Sequence, residues 1–418
     1  MDAASIGWVM ISAALVWLMV PGLALFYGGF TNPKSMINTF AMVLIAIAVG
    51  AVVWFVVGYS LAFSGDGLII GNLQHAFFNN VPMFKSTMGL KIPDGAFALF
   101  QGMFPMITMA IIAGGVVSRM NFKAFFVFLI LWLLFVYVPL AHMVWGGGLI
   151  AQLGALDFAG GDVVHISSGV SALVLALMLG KRTHMEELQA HRPTAIVLGG
   201  GLLWFGWFGF NAGSALQANG QAVLAFVNTN IAAGAAMITW MLVDQLIEKK
   251  VKVSGLMSGG VAGLVAITPA AGYVNPGAAA IMGVVVSVLV YFGTTWVKSF
   301  FGYDDTLDAF GIHGIGGIVG GILTGVFATK ANAGVKGGLE GNWSLVWNQT
   351  LGILITLVFV VVVTYVIAKL VNIFIPLRVE DEVEEKGLDS YQHGETVEAF
   401  HNEAIEAIWQ KQFAERFR

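Results

Sequence analysis

Stretches of about twenty mostly apolar residues recur eleven times along this chain, and each is long enough to cross the hydrocarbon core of a bilayer as a helix. They lie near 6–30, 36–63, 95–118, 124–148, 163–180, 194–215, 221–246, 253–273, 277–297, 308–329 and 346–376. Runs of this length point to helices, because membrane barrel strands alternate over only about ten residues. The 418 residues are 58% apolar and 11% charged, against about 25% charged in soluble domains. So little charge excludes a disordered chain, a nucleic-acid binder and almost any large soluble enzyme. The expectation is an all-α integral membrane protein with eleven transmembrane helices.

Charge distribution orients the chain. With the N-terminus outside, the inner loops hold Lys34, Arg119, Lys123, Lys181, Arg182, Arg192, Lys249, Lys250, Lys252 and Lys298. The outer loops hold only Lys85, Lys91, Lys330 and Lys336. The positive-inside rule then places the N-terminus outside and the tail in the cytoplasm. From Leu377 onward 5 Lys+Arg face 11 Asp+Glu, so the tail is acidic. A cleaved signal is not expected. Residues 1–30 contain no Lys or Arg, and the first apolar run continues through Phe26-Tyr27-Gly28-Gly29. Cysteine is absent, which excludes disulfides, thiolate metal sites and cysteine nucleophiles.

The chain also resembles itself. Leu156-Asp157-Phe158-Ala159-Gly160-Gly161-Asp162-Val163-Val164-His165 leads into the fifth span, and Leu307-Asp308-Ala309-Phe310-Gly311-Ile312-His313 opens the tenth. Five spans repeated, with an extra eleventh, make two halves of opposite topology. That is the inverted repeat used by many transporters.

His165 and His313 are the sharpest chemical signal. Each sits early in its helix, and the two helices enter from opposite faces, so the imidazoles can meet near the midplane. Ionisable groups at that depth usually line a pathway or relay. The plainer alternative is a pair of packing histidines, each bonded to a helix carbonyl. A metal pair is weaker still, because no carboxylate beside them completes a ligand set. Asp162 and Asp308 read as helix N-caps. Asp157 lies in an apolar, Gly-rich stretch, where a buried carboxylate needs donors. Phe100 and Phe104 share a face of the third span. Trp145 ends the fourth, Trp207 and Phe210 lie in the sixth, and Ser214 closes it. Singly these aromatics read as interface-belt residues. Together, aromatic faces within about 6 Å of a cation attract it, and a serine adds an acceptor.

At these residues the chain resembles the ammonium transporter family (Amt, with Mep and Rh relatives), in its prokaryotic Amt branch. The matching stretches are Pro21-Gly-Leu-Ala-Leu-Phe-Tyr-Gly-Gly29, Ala141-His-Met-Val-Trp-Gly-Gly-Gly148, Gly154-Ala-Leu-Asp-Phe-Ala-Gly-Gly161, Val164-His-Ile-Ser-Ser-Gly169, Trp204-Phe-Gly-Trp-Phe-Gly-Phe-Asn-Ala-Gly-Ser214, Ile267-Thr-Pro-Ala-Ala-Gly272 and Ile312-His-Gly-Ile-Gly-Gly317. They spread over nearly all of a transmembrane domain at 1–376, followed by a cytoplasmic regulatory tail at 377–418.

The resemblance implies a homotrimer with one pore per subunit. Phe104, Trp145 and Ser214 would form an outer ammonium site, and Phe104 and Phe210 a gate beneath it. His165 and His313 would be the twin histidines of the pore. Asp157, Phe100 and Trp207 would support the site. Ammonium would bind, lose a proton and cross the cytoplasmic membrane as ammonia, with methylammonium a poor substrate. A PII-type cytoplasmic regulator is the implied partner. No cofactor, metal, enzymatic activity or nucleic-acid partner is expected. The alternative is an ammonium sensor signalling through its tail. Two places depart from the family pattern. Ser118 stands where an acidic residue usually precedes the arginine of Ser118-Arg119. The basic run after the first span is thinned to Thr31-Asn-Pro-Lys-Ser35. Both concern the cytoplasmic face. Residues 397–417 carry apolar positions at mostly helical spacing and predict an amphipathic helix.

Overall fold

In lipid, backbone N–H and C=O groups must be satisfied within the protein, so apolar spans close their hydrogen bonds as helices. The computed structural model describes residues 1–183 and 190–397, and all regular elements among them are helical. Ten helices are long and apolar enough to span a membrane: α1 (Ala3–Phe30), α2 (Pro33–Phe63), α3 (Asp94–Gly115), α4 (Phe122–Gln152), α5 (Gly161–Leu179), α6 (Pro193–Gly213), α7 (Gly220–Ile247), α9 (Pro276–Phe301), α10 (Phe310–Phe327) and α11 (Trp343–Phe374). The eighth, α8 (Val253–Ile267), is shorter. It was expected to run to 273. Pro269 ends it: Thr268 still holds helical backbone, but proline has no N–H to carry the hydrogen-bond ladder further. The chain continues in turns through Gly272.

Local chemistry sets several helix starts. Asp2 accepts from the N–H groups of Ala4 and Ser5, and Asn219 from that of Ala222. Pro193 and Pro276 open α6 and α9, where a missing N–H costs nothing. Small residues set how closely helices approach. α1 and α6, the first helices of the two halves, cross so closely that a Cβ on Gly199 would lie 2.3 Å from the Phe26 nitrogen. α5 and α10 cross in the same manner, where a Cβ on Gly169 would lie 2.3 Å from the Gly314 nitrogen.

The tail folds back onto the ends of α2 and α4 and the segment after α3. Leu377 and Val379 exchange backbone hydrogen bonds with Asn121 and Arg119. A short helix, α12 (Asp381–Lys386), follows. Asp389 then accepts from the N–H groups of Ile37 and Asn38 at the start of α2. The amphipathic helix expected at 397–417 lies outside the described residues, apart from Val397.

Candidate pore and outer cation site

The two histidines sit at equivalent points of the two halves. α5 and α10 each open with a π-helical turn, Gly161–Ile166 and Phe310–Ile315, that contains the histidine. Such turns also interrupt α2, α4 and α9, but only in α5 and α10 among these spans does one open the helix. Eight residues before each histidine stands an aspartate that caps the turn. Asp157 accepts from the N–H groups of Gly160, Gly161 and Asp162 at 2.7–2.9 Å. Asp305 accepts from those of Ala309 and Phe310 at 3.0 and 2.8 Å. Five residues before each histidine the backbone turns left-handed, at Gly160 (φ 118°) and Asp308 (φ 57°). This matched geometry is the inverted repeat made visible.

It also corrects the expected caps. Asp162 and Asp308 do not cap their helices. Asp162 gives its own N–H to Asp157, and Asp308 pairs with Lys298 at 2.8 Å. Several aspartates precede each helix, and the left-handed residue decides which carboxylate reaches the free N–H groups. Burial pushes the Asp157 carboxyl above its usual range, while the three N–H donors pull the other way. Burial likewise raises Asp305, to about 6.

At the end away from the tail a cavity of about 360 Å³ is lined by Phe104, Trp145, Asp157 and Ser214 among others. Trp145 stands edge-on to Phe104 with centroids 5.9 Å apart. Its indole N–H donates to the Asp157 carbonyl at 3.0 Å. Asp157 thus acts twice: its carboxylate shapes the loop, and its carbonyl aims the indole. The Ser214 hydroxyl donates to the Phe210 carbonyl at 2.9 Å, which leaves its lone pairs available to a donor in the cavity. Phe104 and Phe210 close the floor at 4.5 Å between centroids, and Phe100 backs Phe104 at 5.0 Å.

Beneath this floor the rings continue as a stack. Phe210 and Trp207 lie nearly parallel to His165, at 6.0 and 5.4 Å. The Trp207 indole is anchored on the Thr268 hydroxyl at 2.9 Å. His165 and His313 meet with their Nδ1 atoms 3.2 Å apart. A neutral imidazole carries one N–H, so one ring donates and the other accepts. The two rings therefore hold opposite tautomers. His165 Nε2 is buried with no protein partner. On the far side lies a hollow of about 210 Å³, lined by Phe26, Asp308 and Ile312 among others.

The structure therefore gathers every predicted site residue into one column. Sequence reasoning missed Asp305, Thr268 and the cavity-lining Gln101, Gln221 and Tyr273. Gln101 lies three residues before Phe104, so helical spacing held a signal for it. Phe208, which crowds the same stretch as Phe210, turns outward onto Phe226 at 4.0 Å. Among the described residues no group of three or more His, Cys, Asp or Glu is placed to hold a metal.

The Ammonium Transporter Family model matches residues 7–398. This chain belongs to the ammonium transporter family. It is 50% identical to the ammonium transporter of Bacillus subtilis over 92% of this chain and 95% of that one. It is 47% identical to that of Aquifex aeolicus over 94% and 93%. Saccharomyces cerevisiae Mep2 superposes with a TM-score of 0.84 at 38% identity, covering 91% of this chain and 88% of that one. A structure titled Sensor Amt Protein superposes with a TM-score of 0.86 at 26% identity, covering 93% and 98%. As a member of this family the chain is a multi-pass membrane protein and not an enzyme.

Proposed function

We propose that this ammonium transporter family member recruits ammonium at its outer cavity, removes a proton and passes ammonia through a twin-histidine pore across the cytoplasmic membrane. The observation that carries the reading is the 3.2 Å His165–His313 contact beneath the closed Phe104–Phe210 pair. Phe104 and Trp145 offer ring faces to the cation, and Ser214 offers an acceptor. Asp157, Phe100 and Trp207 hold these groups in place. The aromatic floor excludes a hydrated ion, and an unpaired charge in an apolar passage is costly. Ammonia crosses that barrier at little cost. Potassium has nearly the size and charge of ammonium, yet it can neither donate a hydrogen bond nor shed a proton. In this reading the N-terminus is outside and the tail inside. Residues 1–376 form the conducting domain of a homotrimer and 377–418 a regulatory tail. A PII-type protein docks on the inner face, and methylammonium is a poor substrate.

The second reading is an ammonium sensor. It is favoured by the likeness to the structure titled Sensor Amt Protein and by a tail clamped onto α2. One preparation separates the two. Purified protein in liposomes receives an ammonium jump, with an equal potassium jump as control, while current and internal pH are recorded. A saturable response to ammonium alone supports transport. Neither current nor pH-coupled flux would overturn it in favour of sensing.

A further inference from the structure

The loop joining α2 to α3 is rigid, apolar and uncovered. Its backbone is tied at many points. The N–H groups of Gly71 and Asn72 donate to the carbonyls of Leu61 and Ser64, and the Asp94 carboxylate accepts from the Thr87 N–H. Yet Leu68, Leu73, Phe77 and Phe84 stand more than half exposed, Phe84 at 90%. Phe77, Phe78 and Asn80 also hold left-handed backbone, with φ near 55°. Such conformations cost about 1–3 kcal/mol each and persist only where the surroundings enforce them. A patch of this kind marks a contact surface.

The place of Phe77 says what that contact is. Phe77 and Phe78 lie against Phe55 of α2, with centroids 5.9 and 5.4 Å apart. Phe55 belongs to the outward stripe of α2 with Leu44 and Val52, all exposed. This helix is among the most apolar spans, and only a third of its most apolar stretch is buried within the chain. Its 31 residues rise about 46 Å, whereas the hydrocarbon core is about 30 Å thick. Centred in that core, the helix leaves it near Gly58, and Phe55 stands about one turn inside. The loop therefore reaches back down the exposed side of its own helix and ends in aromatic rings at the level of the hydrocarbon boundary.

We propose that this loop is an interfacial anchor whose Phe77 ring inserts into the acyl chains of the adjacent leaflet. The occupant is lipid because the patch is continuous with the exposed stripe of α2, and that span is both among the most apolar of the ten and the least buried within the chain. The anchor holds the outer end of α2, and with it the Leu68 carbonyl that receives the Leu149 N–H just beyond Trp145.

The native absence of cysteine makes the test direct. Phe77→Cys, Leu73→Cys, Val52→Cys and Asn79→Cys are made singly in the full chain, nitroxide-labelled and reconstituted in phosphatidylcholine/phosphatidylglycerol liposomes. Collision with oxygen, which favours lipid, is compared with collision with a water-soluble nickel chelate. At 77 the oxygen-to-nickel ratio is expected to match that at the lipid-facing 52 and to exceed that at 79 several-fold. Nickel collision at 77 equal to that at 79 would place the ring in water and overturn the proposal. Low collision with both reagents would mean that a second copy of the chain covers it, which equally overturns it. The label at 73 gives the same reading should Phe77→Cys fail to fold.

Discussion

At the residue scale the decisive group is Asp157. Its two oxygens take three buried N–H groups, and its carbonyl takes the Trp145 indole. Asp157→Ala leaves the three N–H groups without an acceptor. Each unsatisfied buried group costs about 1–3 kcal/mol, so the variant is expected to lose at least about 2 kcal/mol of stability. Because the indole is aimed by the same loop, ammonium flux in liposomes should fall with it. Asp157→Asn keeps one acceptor oxygen and should be milder on both counts. Thermal unfolding in detergent, read beside flux, checks the pair. Phe104 offers a second test. Phe104→Ala removes one ring face and half of the floor. Loss of a cation–π contact of about 0.5–2 kcal/mol predicts ammonium affinity weakened by about twofold to thirtyfold. Saturation of the flux measures it.

At the element scale the crossing of α5 and α10 brings the histidines together. Gly169 is the contact point, and its neighbour there is backbone, which cannot move aside as a side chain would. Gly169→Ala should push the two helices apart and separate the imidazoles. The expected outcome is folded but poorly conducting protein, seen as normal yield with reduced flux. The second capping turn makes a prediction about pH. Burial lifts the Asp305 carboxyl to about 6, so the folded chain holds this proton more tightly than the unfolded one. Its contribution to stability is full below the ordinary carboxylate range and is lost as pH rises through about 6. Asp305→Asn cannot titrate. The melting temperature of the parent should therefore fall relative to Asp305→Asn over that window, a difference that a paired pH series detects.

At the scale of the whole molecule, a buried charge network closes the end that carries the tail. Arg119 donates to the carbonyl of Gly180, to the Thr306 hydroxyl and to the carbonyl of Asp304, while Arg182 grips the Asp304 carboxylate through two nitrogens at 2.8 and 2.9 Å. Burial pushes the Asp304 carboxyl up, and the charges of Arg119 and Arg182 overcome this and hold it below the usual range. The network joins the end of α3, the end of α5 and the loop before α10, so both halves of the repeat depend on it. Asp304→Asn would leave the fully buried Arg119 without its counter-charge. Breaking a buried pair in this way costs about 3–5 kcal/mol, and the expected result is a marked loss of thermal stability and membrane yield. The same end is tied to the tail: the Val379 N–H donates to the Arg119 carbonyl, and the Arg378 guanidinium donates to the carbonyls of Leu179 and Lys181.

Sequence by itself determined the eleven spans, because a run of twenty apolar residues has one stable conformation in lipid. It also determined that His165 and His313 correspond, because each follows a similar motif into an apolar run. The aromatic and serine positions were legible from their motifs. Only the tertiary structure decided which aspartates cap. Asp157, Asp162, Asp305 and Asp308 look alike in sequence, and the choice turns on a left-handed residue at Gly160 and Asp308. It likewise decided that Phe210 turns to the pore while Phe208 turns out, and that the Asp157 carbonyl holds Trp145. These depend on where distant helices cross and which backbone groups are left unpaired. Local apolar pattern sets helices, whereas burial and the pairing of polar groups across the fold set what each side chain can do.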